Sequence, residues 1–210
     1  MGLRESFQAG LARQLGHPNG LRGRIVGAML NRRNRAVVVR AVAALKPGRT
    51  ETGLDVGFGG GLGLSLLLRE AGEVHGVDIS LTMLERARKT FRREIAAGRL
   101  QVHEGSMTAL PLAAASVDVI VSTNTIYFID DLDAALAEIA RVLRPDGRFV
   151  LGIGDPDAMN RAEMLTRNGF RIRPLDHVEA ALGRAGLEVR AHERLAGGGL
   201  GFHLLVTGRP

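Results

Sequence analysis

A chain of 210 residues with 45% hydrophobic content can bury one substantial core, which makes a single domain the starting expectation. Its apolar runs, such as those over 37–45 and 62–68, stop well short of the roughly 20 residues a bilayer-spanning helix needs, and cysteine is absent, so membrane-spanning and disulfide-built classes are excluded. The formal net charge of +6 rests almost wholly on arginine, Lys46 and Lys89 being the only lysines, and its densest patch is Arg22, Arg24, Arg32, Arg33, Arg35 and Arg40, which suits a solvated helix face or an anionic partner.

In chain order, residues 5–45 carry apolar positions at three- and four-residue steps, with a break at His17-Pro18-Asn19-Gly20, and predict a helical preface that Pro47-Gly48 ends. Beyond it, short apolar strands alternate with amphipathic helices. The predicted strands are 53–56, 73–77, 100–103, 117–122 and 148–153, and the predicted helices are 62–71, 81–97 and 132–143. Such alternation predicts an α/β, doubly wound and mostly parallel sheet with helices on both faces. Pro145-Asp146-Gly147 reads as the turn before the fifth strand. A helix over 175–185 and strands over 187–193 and 201–207 close the chain; the loop between those strands is too short for a parallel crossover, so they are antiparallel and the sheet is mixed.

The first strand ends in Leu54-Asp55-Val56 and runs into Gly57-Phe58-Gly59-Gly60-Gly61. Glycines at 57, 59 and 61 keep side chains out of the space between backbone and ligand at the strand end where open α/β sheets bind ligands. The second strand then delivers Asp78, a carboxylate placed to accept hydrogen bonds from both hydroxyls of a ribose. Capping of the next helix is the competing role for Asp78, and Ser80 competes for that job. Leu62 stands where the dinucleotide fingerprint needs its third glycine, and no Lys-Ser or Lys-Thr pair follows the glycines, so hydride-transfer and phosphate-loop readings both lose ground.

Asp55-Val56-Gly57-Phe58-Gly59-Gly60-Gly61, Asp78-Ile79-Ser80 with Met83-Leu84, Gly105-Ser106-Met107 with Leu110-Pro111, Val117-Asp118, and the run from Arg141 to Arg148 together resemble class I S-adenosylmethionine-dependent methyltransferases, in the manner of small bacterial quinone-biosynthesis enzymes. The resemblance covers roughly residues 50–153. It implies a seven-stranded Rossmann-like sheet, S-adenosylmethionine as cofactor, and in-line methyl transfer to a small-molecule acceptor. Carried over residue by residue, it implies that Asp55 and the backbone of Gly57, Gly59 and Gly61 surround the methionine part, that Asp78 holds the ribose, and that Ile79 and Met83 lie against the adenine. Ser106 and Met107 take the adenine-edge position, where the family commonly has Asp after the glycine and this chain has Ser106. The implied layout is one domain: an N-terminal helical lid over 1–46, a cofactor core over 50–153 and an acceptor-side part over 154–210, with the segment 155–170 completing the lid.

After the fourth strand, Thr123-Asn124-Thr125-Ile126-Tyr127-Phe128 faces the crevice between cofactor and acceptor, making Asn124 a candidate cofactor-binding residue and Tyr127 a candidate catalytic one, although Tyr127 packed as core fits the same pattern. The spacing resembles the Asn-Pro-Pro-Tyr motif of amino-group methyltransferases without its prolines. His17 and His177 are the candidate general bases, whereas His75 and His103 fall inside strands as half-buried, hydrogen-bonded imidazoles. No metal is expected, since the fourth strand ends in Asn124 rather than a carboxylate and Asp130, Asp131 and Asp133 suit a helix cap and first turn. An RNA acceptor is the second reading, weakened by a single tyrosine and no tryptophan for base stacking. A non-catalytic S-adenosylmethionine-binding protein is the third. With no export pattern at the first residues, a cytoplasmic location is the default expectation.

Overall fold

The structure is a computed structural model that describes residues 35–161, 170–195 and 201–210. Its elements in chain order are α1 (Arg35–Leu45), β1 (Thr52–Val56), α2 (Leu62–Glu70), β2 (Glu73–Asp78), α3 (Leu81–Thr90), α4 (Arg92–Ala96), β3 (Leu100–Glu104), β4 (Val117–Thr123), a 3-10 turn (Ile126–Phe128), α5 (Leu132–Val142), β5 (Leu143–Gly154), α6 (Pro156–Arg161), α7 (Leu175–Arg184), β6 (Glu188–Leu195) and β7 (Phe202–Gly208).

One seven-stranded sheet runs in the order β3-β2-β1-β4-β5-β7-β6. The first five strands pair in parallel, and β7 inserts antiparallel between β5 and β6. The chain therefore winds outward in one direction from β1 to β3 and in the other from β4 onward. Where the winding reverses, the carboxyl ends of β1 and β4 lie side by side and leave a crevice.

Two apolar layers cover the faces. On one, Val37, Ala41 and Leu45 of α1, Leu64 and Leu67 of α2, and Met83, Leu84 and Ala87 of α3 form a buried cluster with Val74, Val119 and Val150 of the sheet. On the other, Leu136 and Ile139 of α5 and Val178 and Leu182 of α7 pack with Ile120, Phe149 and Leu151. These are positions three and four apart on each helix and two apart on each strand, so both periodicities meet at one interface. Burial at the helix stripes, rather than helix propensity, is what holds such short helices.

Several boundaries differ from the sequence reading. The helix predicted over 81–97 is two, broken at Phe91 with φ −105° and ψ 29°. Strand β5 begins at Leu143, and Pro145-Asp146-Gly147 lies within it as a bulge across which the pairing jumps from Val117 with Leu143 to Val119 with Arg148. The described part of the preface, α1, packs against α2, β4, β5 and β7 and is a core layer rather than a lid. The rest of that preface, with His17 and Arg22 to Arg33, lies outside the described residues, as do residues 162–169 of the segment expected to complete the lid. Of that segment's described part, α6 buries Pro156 and Met159. No helix among the described residues is long and apolar enough to cross a membrane. His75 and His103 pair across neighbouring strands with ring nitrogens 3.1 Å apart, and burial lowers the pKa of both from the usual value.

Candidate functional site

β1 turns sharply at its carboxyl end. Gly57, Gly59 and Gly61 have φ values of 71°, 49° and 81°, a left-handed region that residues with a Cβ rarely occupy. A Cβ at Gly57 would also run into Thr125, whose hydroxyl donates to the Val56 carbonyl at 3.3 Å and so ties the end of β4 to the end of β1. Ser122 reinforces the tie, donating to the same carbonyl at 3.0 Å. In front of Gly59 the space is open: a Cβ there would meet nothing nearer than the Gly57 carbonyl oxygen at 3.9 Å. Side chains of the protein close the space at Gly57 (Thr125) and at Gly61 (Phe91), and the bend is open at Gly59.

Asp78 ends β2 with its carboxylate turned to this bend. One oxygen accepts the Gly59 amide at 2.8 Å and the other accepts the Ser80 amide at 2.9 Å. These two bonds fix the orientation of the carboxylate. The capping role falls to Ser80, which accepts the Met83 amide at 3.4 Å and begins α3.

Asp55 lies behind the bend, under the first turn of α2, where a Cβ on Gly63 would collide with its carboxyl. Burial pushes its pKa up to about 8, the Asp78 charge pushes in the same direction, and a hydrogen bond from the Leu64 amide opposes both. The site thus holds two carboxyl groups close enough to resist ionising together, a local field that favours a cation.

The expected adenine contacts separate into two groups. Ile79 is 42% exposed beside Asp78, one of two large apolar side chains so exposed among the described residues. Met83 is 0% exposed and packs in the α3 layer, and Met107 at 2% packs in the opposite one, so both side chains are core and offer no surface to a ring. That corrects the expectation for these two methionines: the buried stripe Met83, Leu84 and Ala87 places residue 83 on the inward face of its helix. Ser106 is half-buried, its hydroxyl 2.8 Å from that of Thr108, and the two help line a cavity of about 420 Å³ with Phe128, Ile129, Asp131 and Ala134.

Beyond β4, Asn124 adopts φ 58°, a conformation Asn tolerates better than most residues, and its amide donates to Gly152 on β5 at 2.8 Å. Tyr127 follows in the 3-10 turn. Only 4% exposed, it accepts the Gly154 amide on its phenol oxygen at 2.6 Å and donates toward the Asn124 side-chain oxygen at 3.5 Å. Burial pushes its phenol above the ordinary value, which disfavours the phenolate. Its burial and its hydrogen bonds to Gly154 and Asn124 are those of a packed core residue. His177 sits exposed on the first turn of α7, which packs against α5 and β6, far along the sheet order from the bend between β1 and β2. Among the described residues, no three His, Cys, Asp or Glu side chains converge as a metal site would require.

Sequence reading missed three residues that shape this end. Thr125 needs a glycine opposite it, a pairing visible only once β4 lies beside β1. Arg173 holds the 3-10 turn by donating to the carbonyls of Ile126 at 2.8 Å and Ile129 at 2.6 Å. Asp155, at the exit of β5, accepts from Ala158, Arg194 and His203.

A family model described as "Methyltransferase domain" matches residues 54–151, the stretch from β1 to β5 that builds the bend, Asp78 and the Ser106 loop. Over that stretch the chain is similar to the class I S-adenosylmethionine-dependent methyltransferases. An O-methyltransferase of Pyrenophora dematioidea is 32% identical over 152 residues, covering 61% of this chain and 57% of that protein. This chain spans 57%, 35% and 40% of the lengths of three relatives it matches, so it corresponds to about half or less of each. Among solved structures, a Haloferax volcanii putative methyltransferase in complex with the Trm112 activator superposes with a TM-score of 0.78 at 22% identity, covering 88% of this chain and 93% of that one. Geranyl diphosphate C-methyltransferase from Streptomyces coelicolor A3(2), solved with Mg2+, geranyl diphosphate and S-adenosyl-L-homocysteine, gives 0.72 at 17% identity, covering 94% and 88%. At those identities the two structures establish a shared methyltransferase fold.

Proposed function

We propose that the protein binds S-adenosylmethionine along the bend of Gly57, Gly59 and Gly61 and transfers its methyl group to a small-molecule acceptor entering over the ends of β4 and β5. The observation that carries this reading is the pairing of a bend open at Gly59 with the Asp78 carboxylate, locked toward it by the Gly59 amide at 2.8 Å. Asp78 accepts the ribose hydroxyls, Ile79 covers one adenine face, and Ser106 meets the adenine edge through its hydroxyl. The backbone of the three glycines lies along the methionine part, with Asp55 behind it as a counter-charge where it ionises toward pH 8, and Asn124 borders the cofactor at the end of β4.

Methyl transfer needs little from the protein beyond alignment, because the sulfonium already carries the activated group. Holding the acceptor atom in line with the carbon–sulfur bond supplies the entropic part of the barrier. With Tyr127 buried, no described residue is assigned as base. Relatives named for malonyl-acyl-carrier-protein and arsenite methylation show that one fold serves unlike acceptors, which supports the methyl transfer and leaves the acceptor to the residues around the crevice.

Calorimetry with S-adenosylhomocysteine tests the cofactor site directly. Wild-type protein binds, and Asp78→Ala weakens binding by at least about 1.5 kcal/mol, roughly tenfold, through loss of hydrogen bonds to a charged acceptor. Undiminished affinity in the variant removes the basis for the assignment. Incubation with labelled S-adenosylmethionine and a metabolite pool then separates a transferase, which accumulates S-adenosylhomocysteine, from a protein that only binds the cofactor.

A further inference from the structure

Residues 170–173 run along the 3-10 turn that follows β4 and are bound to it at successive points. The Arg171 amide donates to the Tyr127 carbonyl at 3.0 Å, and the Arg171 side chain pairs with Asp130 at 2.5 Å. The Phe170 ring packs edge-on against Phe128, with centroids 4.8 Å apart, and lies 5.7 Å from the Tyr127 ring. Arg173 then clamps the turn: Nη1 donates to the Ile126 carbonyl at 2.8 Å, while Nη2 donates to those of Ile129 at 2.6 Å and Asp130 at 3.2 Å.

So short a turn needs holding from outside. Its own backbone bonds, Phe128 to Thr125 at 3.1 Å and Ile129 to Ile126 at 3.3 Å, have the poorer geometry of a 3-10 turn. A guanidinium is a rigid, planar fork of donors, so one side chain fixes the carbonyls at both ends of the turn relative to each other, which a compact ammonium does not. At its start the turn follows Thr125, whose hydroxyl donates to the Val56 carbonyl at the end of β1. On its other side, Phe128, Ile129 and Asp131 line the cavity of about 420 Å³ that Ser106 and Thr108 also line. The hydroxyls of those two residues hold each other at 2.8 Å, so the loop after β3 is braced locally and the space beside it depends on where the turn stands.

We propose that Arg173 is a positioning residue for the cofactor: by clamping Ile126 and Ile129 it sets the gap between the turn after β4 and the Ser106 loop after β3, where the adenine edge enters. A residue from the C-terminal part of the chain thereby shapes the cofactor site without touching the ligand. This role rests on the assignment of Ser106 to the adenine edge.

A double-mutant cycle in S-adenosylhomocysteine binding, read by calorimetry on the full chain, tests it. Ser106→Ala removes the hydroxyl at the adenine edge and weakens binding by about three- to tenfold, the value of one neutral hydrogen bond. In an Arg173→Met background the turn no longer holds the base against Ser106, so Arg173→Met itself weakens binding and the added Ser106→Ala change has almost no further effect. Asp78→Ala, at the ribose, weakens binding by the same factor with or without Arg173. Arg173→Lys keeps the stem and the charge, serves where the Met variant does not fold, and shows the same loss of coupling because it lacks the fork. Fold-changes of Arg173→Met and Ser106→Ala that simply multiply, as they do for a residue that serves stability alone, overturn the role, and full coupling retained in Arg173→Lys does the same. Wild-type protein that does not bind S-adenosylhomocysteine sinks the cofactor reading itself, whereas binding that Asp78→Ala weakens and the Arg173 variants leave unchanged sinks the positioning role alone.

Discussion

The two ends of the crevice are built from different materials. Around β1 and β2 the surface is backbone: three left-handed glycines, a carboxylate aimed by two main-chain amides, and two hydroxyls on one carbonyl. Around β5 the surface is side chains reaching across the chain, with Tyr127 on Gly154, Arg173 on the 3-10 turn and Arg194 on Asp155. A backbone surface keeps its shape under most substitutions and suits a ligand that never changes. A surface of long-range side-chain contacts is remodelled by single substitutions, and suits a ligand that differs from one relative to another.

The largest effect is expected where the backbone end meets Thr125. Gly57→Ala places a Cβ at φ 71° and into Thr125, combining left-handed strain with overpacking. Together these cost on the order of 2–5 kcal/mol. Urea unfolding should show the loss, and Thr125→Ala in the same chain should recover part of it by clearing the space. If Gly57→Ala alone is as stable as wild type, the bend is not the rigid element described.

Next comes a pH effect confined to the β1 end. Asp55 in the folded protein titrates near 8 but from 3.8 when unfolded, so between those values the folded state binds the extra proton. Stability from this group is therefore fully present below about pH 4 and is lost as pH rises toward 8. Thermal unfolding of wild type against Asp55→Asn should converge as pH falls from 8 to 5 and diverge as it rises, with wild type the steeper. A cationic ligand pulls the other way: affinity for S-adenosylmethionine should improve across that range relative to uncharged-sulfur S-adenosylhomocysteine, because ionised Asp55 faces only the former's sulfonium.

How far the sequence reveals each end follows from the same contrast. The alternation of short strands and amphipathic helices, the antiparallel close and the bend with Asp78 are local patterns, and each is present in the structure at or near the expected residues. The break at Phe91 was not legible, because that ring lies against Gly61, a contact across thirty positions of chain that periodicity does not encode. The burial of Met83 was legible and was overridden by the resemblance: residues 83, 84 and 87 form an inward stripe at helical spacing. Tyr127 leaves two roles open in the sequence, and the Gly154 amide that it accepts at 2.6 Å is a contact from β5 that local pattern does not encode.

Tyr127→Phe sharpens the acceptor end. It strands the buried Gly154 N–H, at a cost of about 1–3 kcal/mol. Denaturant midpoint should fall while the pH dependence of turnover by the folded fraction keeps its shape. A lost basic limb would restore the phenol to the chemistry.

Ile79→Ala should have the smallest effect on folding and is the cleanest probe of the cofactor end. The side chain is 42% exposed and belongs to neither buried cluster, so its truncation should change stability by less than about 0.5 kcal/mol. Covering it with a bound adenine removes apolar surface from water, and at about 25 cal/mol per Å² some tens of Å² correspond to about 1 kcal/mol of affinity. Calorimetry should therefore show S-adenosylhomocysteine binding weakened about fivefold in a protein that melts like wild type. Met83→Ala gives the opposite pattern, losing about 2–5 kcal/mol of stability as a fully buried methionine. Were Met83→Ala instead to spare the fold and weaken binding, residue 83 would belong to the ligand surface, and the division between an exposed adenine contact and a core residue four positions along would fail.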